Sequence, residues 1–171
     1  MNVRLCLAFI TLVTYFGAGR ANPQSASPLP PDPSVYRLAI QSAYALMTAA
    51  FVDNRLDRSS LFFATDYRQV DPHGHALDKA DSQKKFQTLR DQISTVQSQC
   101  TVGSMNAETD GIHVEMATHS AGTGSKRVLF FKIPGTFTND LRVMDIWVDT
   151  PDGWRLKSRL MLEDLSIVHS G

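Results

Sequence analysis

Cysteine is scarce in this sequence, which limits how the chain can be cross-linked. Cys6 lies in an apolar run at the N-terminus, and Cys100 is the only other cysteine. If the N-terminal run is removed, the single remaining cysteine cannot form an internal disulfide. We expect Cys100 to be a buried packing residue, with a reactive thiol or a link between two chains as the alternatives.

An excess of charge of either sign is also missing. The chain has 17 basic and 17 acidic residues, and loss of Arg4 and Arg20 with an N-terminal segment would leave 15 basic residues against 17 acidic ones. This balance gives no electrostatic reason to expect nucleic acid or an anionic membrane as a partner. The sequence also lacks a glycine-rich phosphate loop, a serine-nucleophile motif and a cysteine-based metal motif, so we predict no cofactor and no metal site.

The apolar run at the N-terminus is shorter than the ~20 residues of a membrane-spanning helix. It covers residues 5–16 behind Arg4, and Gly19-Arg20-Ala21 offers small residues for cleavage. This pattern is typical of a secretory signal peptide. We therefore predict a signal peptide at 1–21, a Pro- and Ser-rich flexible linker at 22–32 and a domain at 33–171, exported to the periplasm or released without a membrane anchor. An uncleaved anchor is the alternative.

The first half of the domain has helical periodicity. Asp32-Pro33 is a typical helix start, and the stretch to about Asp53 has no Gly or Pro inside it. Apolar residues at spacings of three and four share one stripe of this helix, namely Tyr36, Ile40, Tyr44, Met47 and Phe51. Further apolar residues widen the stripe, so we expect a mostly buried helix. We then predict a short helix near 58–64 and a strand at 66–70. After these we predict a helix capped by Asp78, whose apolar stripe is Phe86, Leu89, Ile93 and Val96.

The second half has a period of two, which indicates strands. We predict strands at 96–106, 111–119, 126–133, 141–150 and 154–167, with turns at 108–111, 121–124 and 134–135. Helices followed by antiparallel strands predict an α+β domain, in which the sheet wraps around the helices.

The last two strands allow a prediction of register. Thr150-Pro151-Asp152-Gly153 has the residues of a type I turn. With a three-residue loop, Asp149 would pair with Arg155, Trp147 with Lys157 and Asp145 with Arg159. Because two of these pairs carry opposite charges and the third places Trp147 beside a lysine, we predict that they form the outer face, where Asp145 makes a structural ion pair. The opposite face would meet the long helix through Ile146, Val148, Leu156, Leu160 and the rare polar member Ser158.

The order of these motifs resembles the nuclear transport factor 2-like superfamily, in particular its SnoaL-like, ketosteroid-isomerase-like branch. Asp66 and Tyr67 stand before the turn Asp71-Pro72-His73-Gly74, as is typical of that branch. An aromatic strand with Trp147, the turn Asp152-Gly153 and Trp154 opening the last strand also match. The resemblance covers about residues 33–168.

The resemblance implies a cone-shaped α+β fold, with a long N-terminal helix packed in a curved antiparallel sheet around a pocket. It also implies frequent homodimers through the outer sheet face, which we expect to include Trp147. It does not imply one activity, because the superfamily includes isomerases, dehydratases, cyclases, epoxide hydrolases and proteins with no known reaction. Leu160 stands where relatives often have a histidine, which weakens the case for proton chemistry.

Three functional hypotheses remain open. The first is a domain that binds a small apolar molecule unchanged, in a pocket lined by Tyr44, Met47, Phe51, Tyr67, Met116, Phe130, Ile146, Ser158 and Leu160. The second is an isomerase-, dehydratase- or hydrolase-type enzyme, with Asp66 as base and Tyr44 as hydrogen-bond donor to an oxyanion. The third is a non-catalytic dimerising module. Sequence alone does not separate a pocket from a packed core.

Two histidine-containing patterns are more typical of a solvated surface than of a metal site. His73 and His75 follow Asp71 at spacings of two, but Pro72 and Gly74 mark a solvated turn. His113, Glu115 and His119 share a strand face, yet Glu115 and His119 would lie ~13 Å apart in a regular strand, too far for one ion.

Overall fold

The computed structural model describes residues 33–128 and 131–170, so the predicted signal peptide, the predicted linker and Phe130 lie outside the described residues. The helices are α1 (Pro33–Val52), α2 (Leu56–Ser59) and α3 (Lys79–Arg90), with a 3-10 turn at Ser60–Phe62 after α2. The strands are β1 (Phe63–Val70), β2 (Ala76–Asp78), β3 (Ile93–Glu108), β4 (Gly111–Val128), β5 (Phe131–Thr150) and β6 (Gly153–Ser170).

All six strands form one curved sheet in the order β2-β1-β6-β5-β4-β3. Strand β1 pairs in parallel with β6, and every other neighbouring pair is antiparallel. Helix α1 packs against the inner face of this sheet, which confirms the α+β cone that the sequence resemblance implied.

One stripe of α1 supplies the helical side of the core. Tyr36, Ile40, Tyr44 and Met47 are all buried, as their spacing predicts. The prediction that the helix is mostly buried was wrong, because Leu38 and Leu46 face outward and are largely exposed. By length and composition α1 is also apolar enough to cross a membrane, a test that the core helix of a folded domain passes as well.

Helix α3 begins and ends with specific polar contacts. The side chain of Asp78 accepts a hydrogen bond from the backbone N–H of Asp81, which confirms the predicted cap. At the other end Arg90 is buried and donates to the backbone carbonyls of Phe51, Val52 and Ile93. These bonds join the C-termini of α1 and α3 to the start of β3, so Ile93 lies in a strand and not on the predicted helical stripe.

Two predicted turns are in fact parts of long strands. Strand β4 continues through 121–124, and β5 continues through 134–135. The glycines of β4 allow the backbone before and in β3 to come close. A Cβ on Gly122 would collide with the carbonyl oxygen of Thr95, and a Cβ on Gly124 would collide with the carbonyl oxygen of Gln92. A glycine-rich segment therefore does not mark a chain reversal here.

The final hairpin differs from the predicted register near its turn and matches it farther away. Thr150 pairs with Gly153, so the loop has two residues instead of three. A β-bulge at Lys157 then restores the count, because Trp147 pairs with Leu156 while Ile146 pairs with Ser158. Asp145 therefore pairs with Arg159, as predicted.

The faces of this hairpin are the reverse of the prediction. Asp145 and Trp147 are 0% exposed and Arg159 is 7% exposed, whereas Leu160 is 45% exposed. The pairing with β4 requires this arrangement, since Trp147 lies opposite Ile112, and directly opposed residues share a face. Ile112 is itself fully buried, as its strand pattern predicts.

Candidate functional site

A buried polar network lies where α1 meets β5 and β6. The hydroxyl of Tyr44 donates to the carboxylate of Asp145 at 2.7 Å, and the indole N–H of Trp147 donates to that hydroxyl at 2.8 Å. The Arg159 Nε and Nη2 groups donate to the two carboxylate oxygens of Asp145 at 2.8 and 2.7 Å. These four residues, which we call the buried network, are joined by four hydrogen bonds, three of which the Asp145 carboxylate accepts.

The network shifts the pKa of Tyr44 and of Arg159. Burial, reinforced by the negative charge of Asp145, raises the pKa of Tyr44, so the phenol stays protonated at neutral pH. Burial by itself would lower the pKa of Arg159, but the charge and hydrogen bonds of Asp145 outweigh it and raise this pKa. The pair is thus an ion pair with no net charge, and Tyr44 is a hydrogen-bond donor that does not act as a base.

A second, shorter chain of polar side chains runs beside the network. The Tyr67 hydroxyl donates to Gln69 Oε1 at 3.2 Å, and Gln69 Nε2 donates to the sulfur of Met161 at 3.2 Å. Both Tyr67 and Gln69 are buried, and burial raises the pKa of Tyr67 to about 12. Gln69 lies opposite Arg159 in the parallel ladder between β1 and β6, so these two side chains are neighbours on the inner face.

The inner face of the cone surrounds a cavity of about 1010 Å³ with a mostly apolar lining. This is the upper end of the range for small-molecule sites. Tyr44, Gln69 and Arg159 contribute polar groups to its wall, whereas Asp145 and Trp147 do not line it. Away from this region the wall carries hydroxyl and amide groups of β3 to β6, namely Ser98, Thr118, Ser120, Asn139 and Ser166.

The fold is similar to that of several solved structures. Their sequence identities to this chain are low, so the similarity shows the fold alone. A conserved protein from Planctomyces limnophilus has a TM-score of 0.64 and 13% identity, covering 78% of this chain and 99% of that one. A protein assigned as a scytalone dehydratase from Novosphingobium aromaticivorans has a TM-score of 0.65 and 10% identity, covering 81% and 89%. A protein assigned as a dehydratase of the NTF2-like family from Streptomyces avermitilis has a TM-score of 0.58 and 15% identity, covering 76% and 97%.

The chain has the nuclear transport factor 2-like fold. This confirms the fold that the resemblance implied from the motifs around Asp66, Trp147 and Trp154. No protein-family model matches the sequence, and no curated protein matches it significantly.

Within this nuclear transport factor 2-like cone, the predicted pocket residues fall into two groups. Tyr44, Met47, Phe51 and Met116 line the cavity. Tyr67 is buried behind the wall, while Ile146, Ser158 and Leu160 lie on the opposite face of the hairpin and do not line it. The second group follows from the reversed hairpin faces.

The two predicted catalytic residues do not meet at the cavity. Tyr44 is in its wall, but Asp66 is exposed on β1 and is not among the lining residues. Asp66 directly precedes the buried Tyr67 in β1. Because successive side chains of a strand point to opposite faces, the Asp66 side chain points away from the inner face. The carboxylate nearest Tyr44 is that of Asp145.

Trp147 does not belong to the outer face either. Its side chain is fully buried within one chain, so a homodimer through the outer sheet face would not use it. Such a dimer stays a prediction, and its surface would include residues such as Ile146 and Leu160 that the structure places on that side.

Sequence reasoning missed Arg159 and Gln69 as cavity residues. Arg159 was assigned to the outer ladder because a charged side chain is rarely buried. One signal was available: Trp147 is the largest apolar side chain of β5, and placing it inside forces Asp145 and its partner inside too. Gln69 had no signal in the sequence, because a single glutamine in a short strand is typical of a solvated position.

The histidine clusters make ordinary surface contacts. The Asp71 carboxylate accepts hydrogen bonds from the backbone N–H groups of His75 and His73 and contacts the ring of His75. These contacts lower the pKa of Asp71 to about 2. At the β3–β4 turn, Glu108, Asp110 and His113 have ligand atoms within 4.8 Å of one another. There the two ring nitrogens of His113 face different carboxylates, those of Glu108 at 3.6 Å and Asp110 at 2.7 Å.

One buried hydroxyl in the cavity wall lacks a partner. Ser82 of α3 is 0% exposed, and its Oγ makes no hydrogen bond with any described residue. We expect Ser82→Ala to raise the free energy of unfolding by about 1 kcal/mol, because it removes an unsatisfied polar group and improves helix propensity. Urea denaturation measures this.

Ser42 is a suitable control for that substitution, since it is exposed on α1 and Ser42→Ala changes helix propensity alone. We expect a gain smaller than that of Ser82→Ala, about 0.5 kcal/mol. A loss of stability in Ser82→Ala would show that the hydroxyl is bonded in the native protein, for instance to a buried water.

Proposed function

We propose that this domain binds a small, largely apolar molecule inside the cone and does not transform it. The observation that carries the proposal is the large, mostly apolar cavity, beside which Tyr44 and Asp145 are already hydrogen-bonded to each other. An apolar molecule gains by leaving water for this lining. The groups that a reaction would need are occupied, because the Asp145 carboxylate accepts three hydrogen bonds and Tyr44 gives its only proton to it.

A second candidate is an enzyme of the dehydratase or isomerase kind. The observation that favours it is the burial of Asp145 inside the cone next to Tyr44, which places a carboxylate and a phenol close to one cavity. Two of the similar structures are proteins assigned as dehydratases. Against it, Asp145 does not line the cavity, and its charge is neutralised by Arg159.

Export of the domain is a separate proposal that rests on the sequence of residues 1–21 alone. It fits a domain that collects an apolar molecule outside the cytoplasm. The homodimer is compatible with either candidate function.

Blocking the cavity tests the binding proposal. The probe is N-phenyl-1-naphthylamine, a neutral apolar fluorophore whose emission rises in an apolar site. Thr118 is half-buried and lines the cavity, so Thr118→Phe should fill part of the space and weaken probe binding at least about tenfold, or ~1.4 kcal/mol. Fluorescence titration gives the dissociation constants.

Ala117→Phe is the matched control, because Ala117 is the adjacent residue of β4 and is exposed on the opposite face. It should leave the dissociation constant unchanged. Equal effects of the two substitutions, or no saturable binding by the folded unmodified domain, would contradict the proposal. Chemical conversion of a bound molecule would favour the enzyme instead.

A further inference from the structure

Two hydrogen-bond donors in the cavity wall have no adequate acceptor among the described residues. Arg159 uses Nε and Nη2 to hold Asp145, and its Nη1 makes no hydrogen bond with any described residue. Arg159 is only 7% exposed, yet it lines the cavity. The outer edge of the guanidinium is therefore a donor directed at whatever occupies the cavity.

The second donor is the amide of Gln69. Its oxygen is held by the Tyr67 hydroxyl, and its nitrogen faces the Met161 sulfur, which is a weak acceptor. The amide orientation is determined by these contacts, because an amide oxygen facing the thioether would find no hydrogen there. One N–H of the Gln69 amide is thus poorly satisfied and the other makes no bond with the described residues.

These donors lie side by side. Gln69 and Arg159 are register partners in the β1–β6 ladder, and both line the cavity. Neighbouring strands are about 4.8 Å apart, a spacing at which two side chains can donate to one oxygen or to two oxygens of one group. A purely apolar occupant would leave both donors desolvated without a partner, which is unfavourable.

We infer that the molecule bound in the cone carries a neutral hydrogen-bond-accepting oxygen, such as a ketone or ester carbonyl, held by Gln69 and Arg159. This inference rests on the proposed function and specifies its ligand class. The oxygen is neutral because Asp145 already balances the charge of Arg159 at 2.7 Å, so a buried carboxylate would give the group of charges a net negative charge.

Three naphthalene probes of similar shape test the inference by displacing N-phenyl-1-naphthylamine. They are 2-acetylnaphthalene, which has a carbonyl, 2-isopropenylnaphthalene, which has a methylene in its place, and 2-naphthoate, which has a carboxylate. The ketone should bind about tenfold more tightly than the alkene, because the carbonyl oxygen accepts from the two donors and the methylene group cannot. It should also bind more tightly than the carboxylate.

Gln69→Met removes the amide donor and keeps an unbranched side chain of similar size. It should lower the preference for ketone over alkene at least threefold. Tyr67→Phe should lower the same preference less, because Tyr67 orients the amide without contacting the probe.

The outcomes separate this inference from the proposed function. Equal affinity of ketone and alkene, with both displacing the fluorophore, would overturn the inference and leave apolar binding intact. Tightest binding of 2-naphthoate would overturn the neutral class. Failure of every probe to bind the folded domain would remove both proposals.

Discussion

Replacement of Asp145 by asparagine is expected to lower the free energy of unfolding by about 3–5 kcal/mol. The carboxylate is fully buried and accepts hydrogen bonds from Arg159 and Tyr44. Asparagine would leave the guanidinium as an unpaired charge in the core and would turn an amide N–H toward one of the donors. Chemical denaturation followed by circular dichroism measures the change.

The cost should come from the orphaned partner and not from the loss of an especially strong bond. Replacing Asp145 by leucine and Arg159 by methionine together should therefore cost less than Asp145→Asn alone, since no charge is then left unpaired. Arg159→Met alone should be as damaging as Asp145→Asn. With Asp145→Leu as the other single variant, the double variant, Arg159→Met and the unmodified protein form a double-mutant cycle.

An exposed ion pair provides the control. Arg142 donates to Glu115 at 2.7 Å on the outer face, where their side chains are 53% and 38% exposed. Glu115→Gln should cost less than about 1 kcal/mol, because water replaces the lost partner. A similarly small effect of Asp145→Asn would show that the Asp145–Arg159 pair is solvated in the folded protein.

Trp147→Ala is the second substitution expected to have a large effect, with a loss of about 3–5 kcal/mol of unfolding free energy. The indole is 0% exposed, contacts the Tyr44 ring edge-on at a centroid distance of 5.2 Å, and donates to the Tyr44 hydroxyl. Alanine would create a cavity beside the buried network and remove a donor from it. Thermal unfolding and chemical denaturation both measure the loss.

Two further variants separate volume from hydrogen bonding. Trp147→Phe keeps most of the packing and should cost clearly less than Trp147→Ala. Trp154→Ala affects a half-buried tryptophan that contacts Tyr36, so it should also cost less. If Trp147→Ala left stability unchanged but dissociated a dimer, Trp147 would lie on an outer contact surface, contrary to the structure.

The sequence predicted the helical side of the core well, because one side of α1 has a clear period of 3.6. Tyr36, Ile40, Tyr44 and Met47 were placed correctly from spacing alone. The cap of α3 at Asp78 was also correct, since a capping side chain acts within one turn of its own helix. Both features depend on residues near one another in the chain.

The sheet was predicted less well where long-range pairing decides the structure. The segment at 121–124 was expected to be a turn because of its glycines, but these glycines lie in β4 where the backbone of β3 comes close. No pattern within the segment distinguishes the two uses of glycine. The missing information is the position of the neighbouring strand.

The candidate site was half predicted for a related reason. Counting residues gave the pairing of Asp145 with Arg159, and the motifs gave Tyr44, but the alternation of a strand determines only which residues share a face. Both faces of 143–148 contain apolar residues, so composition did not identify the inner one, and the charge of Asp145 pointed to the wrong choice. The bulge at Lys157 also put Leu156 on the same face as Asp145.

The sequence by itself determined the fold class, the long helix with its buried stripe, and the pairing of Asp145 with Arg159 in the closing hairpin. Only the tertiary structure decided that the ionic face points inward, because burial of a charge depends on whether distant residues satisfy it. Tyr44 lies 101 positions before Asp145 in the chain, and Gln69 reaches the cavity through a parallel pairing with the last strand. The cost of desolvating a buried charged group is offset by its hydrogen-bonding partners, and folding alone brings these partners together.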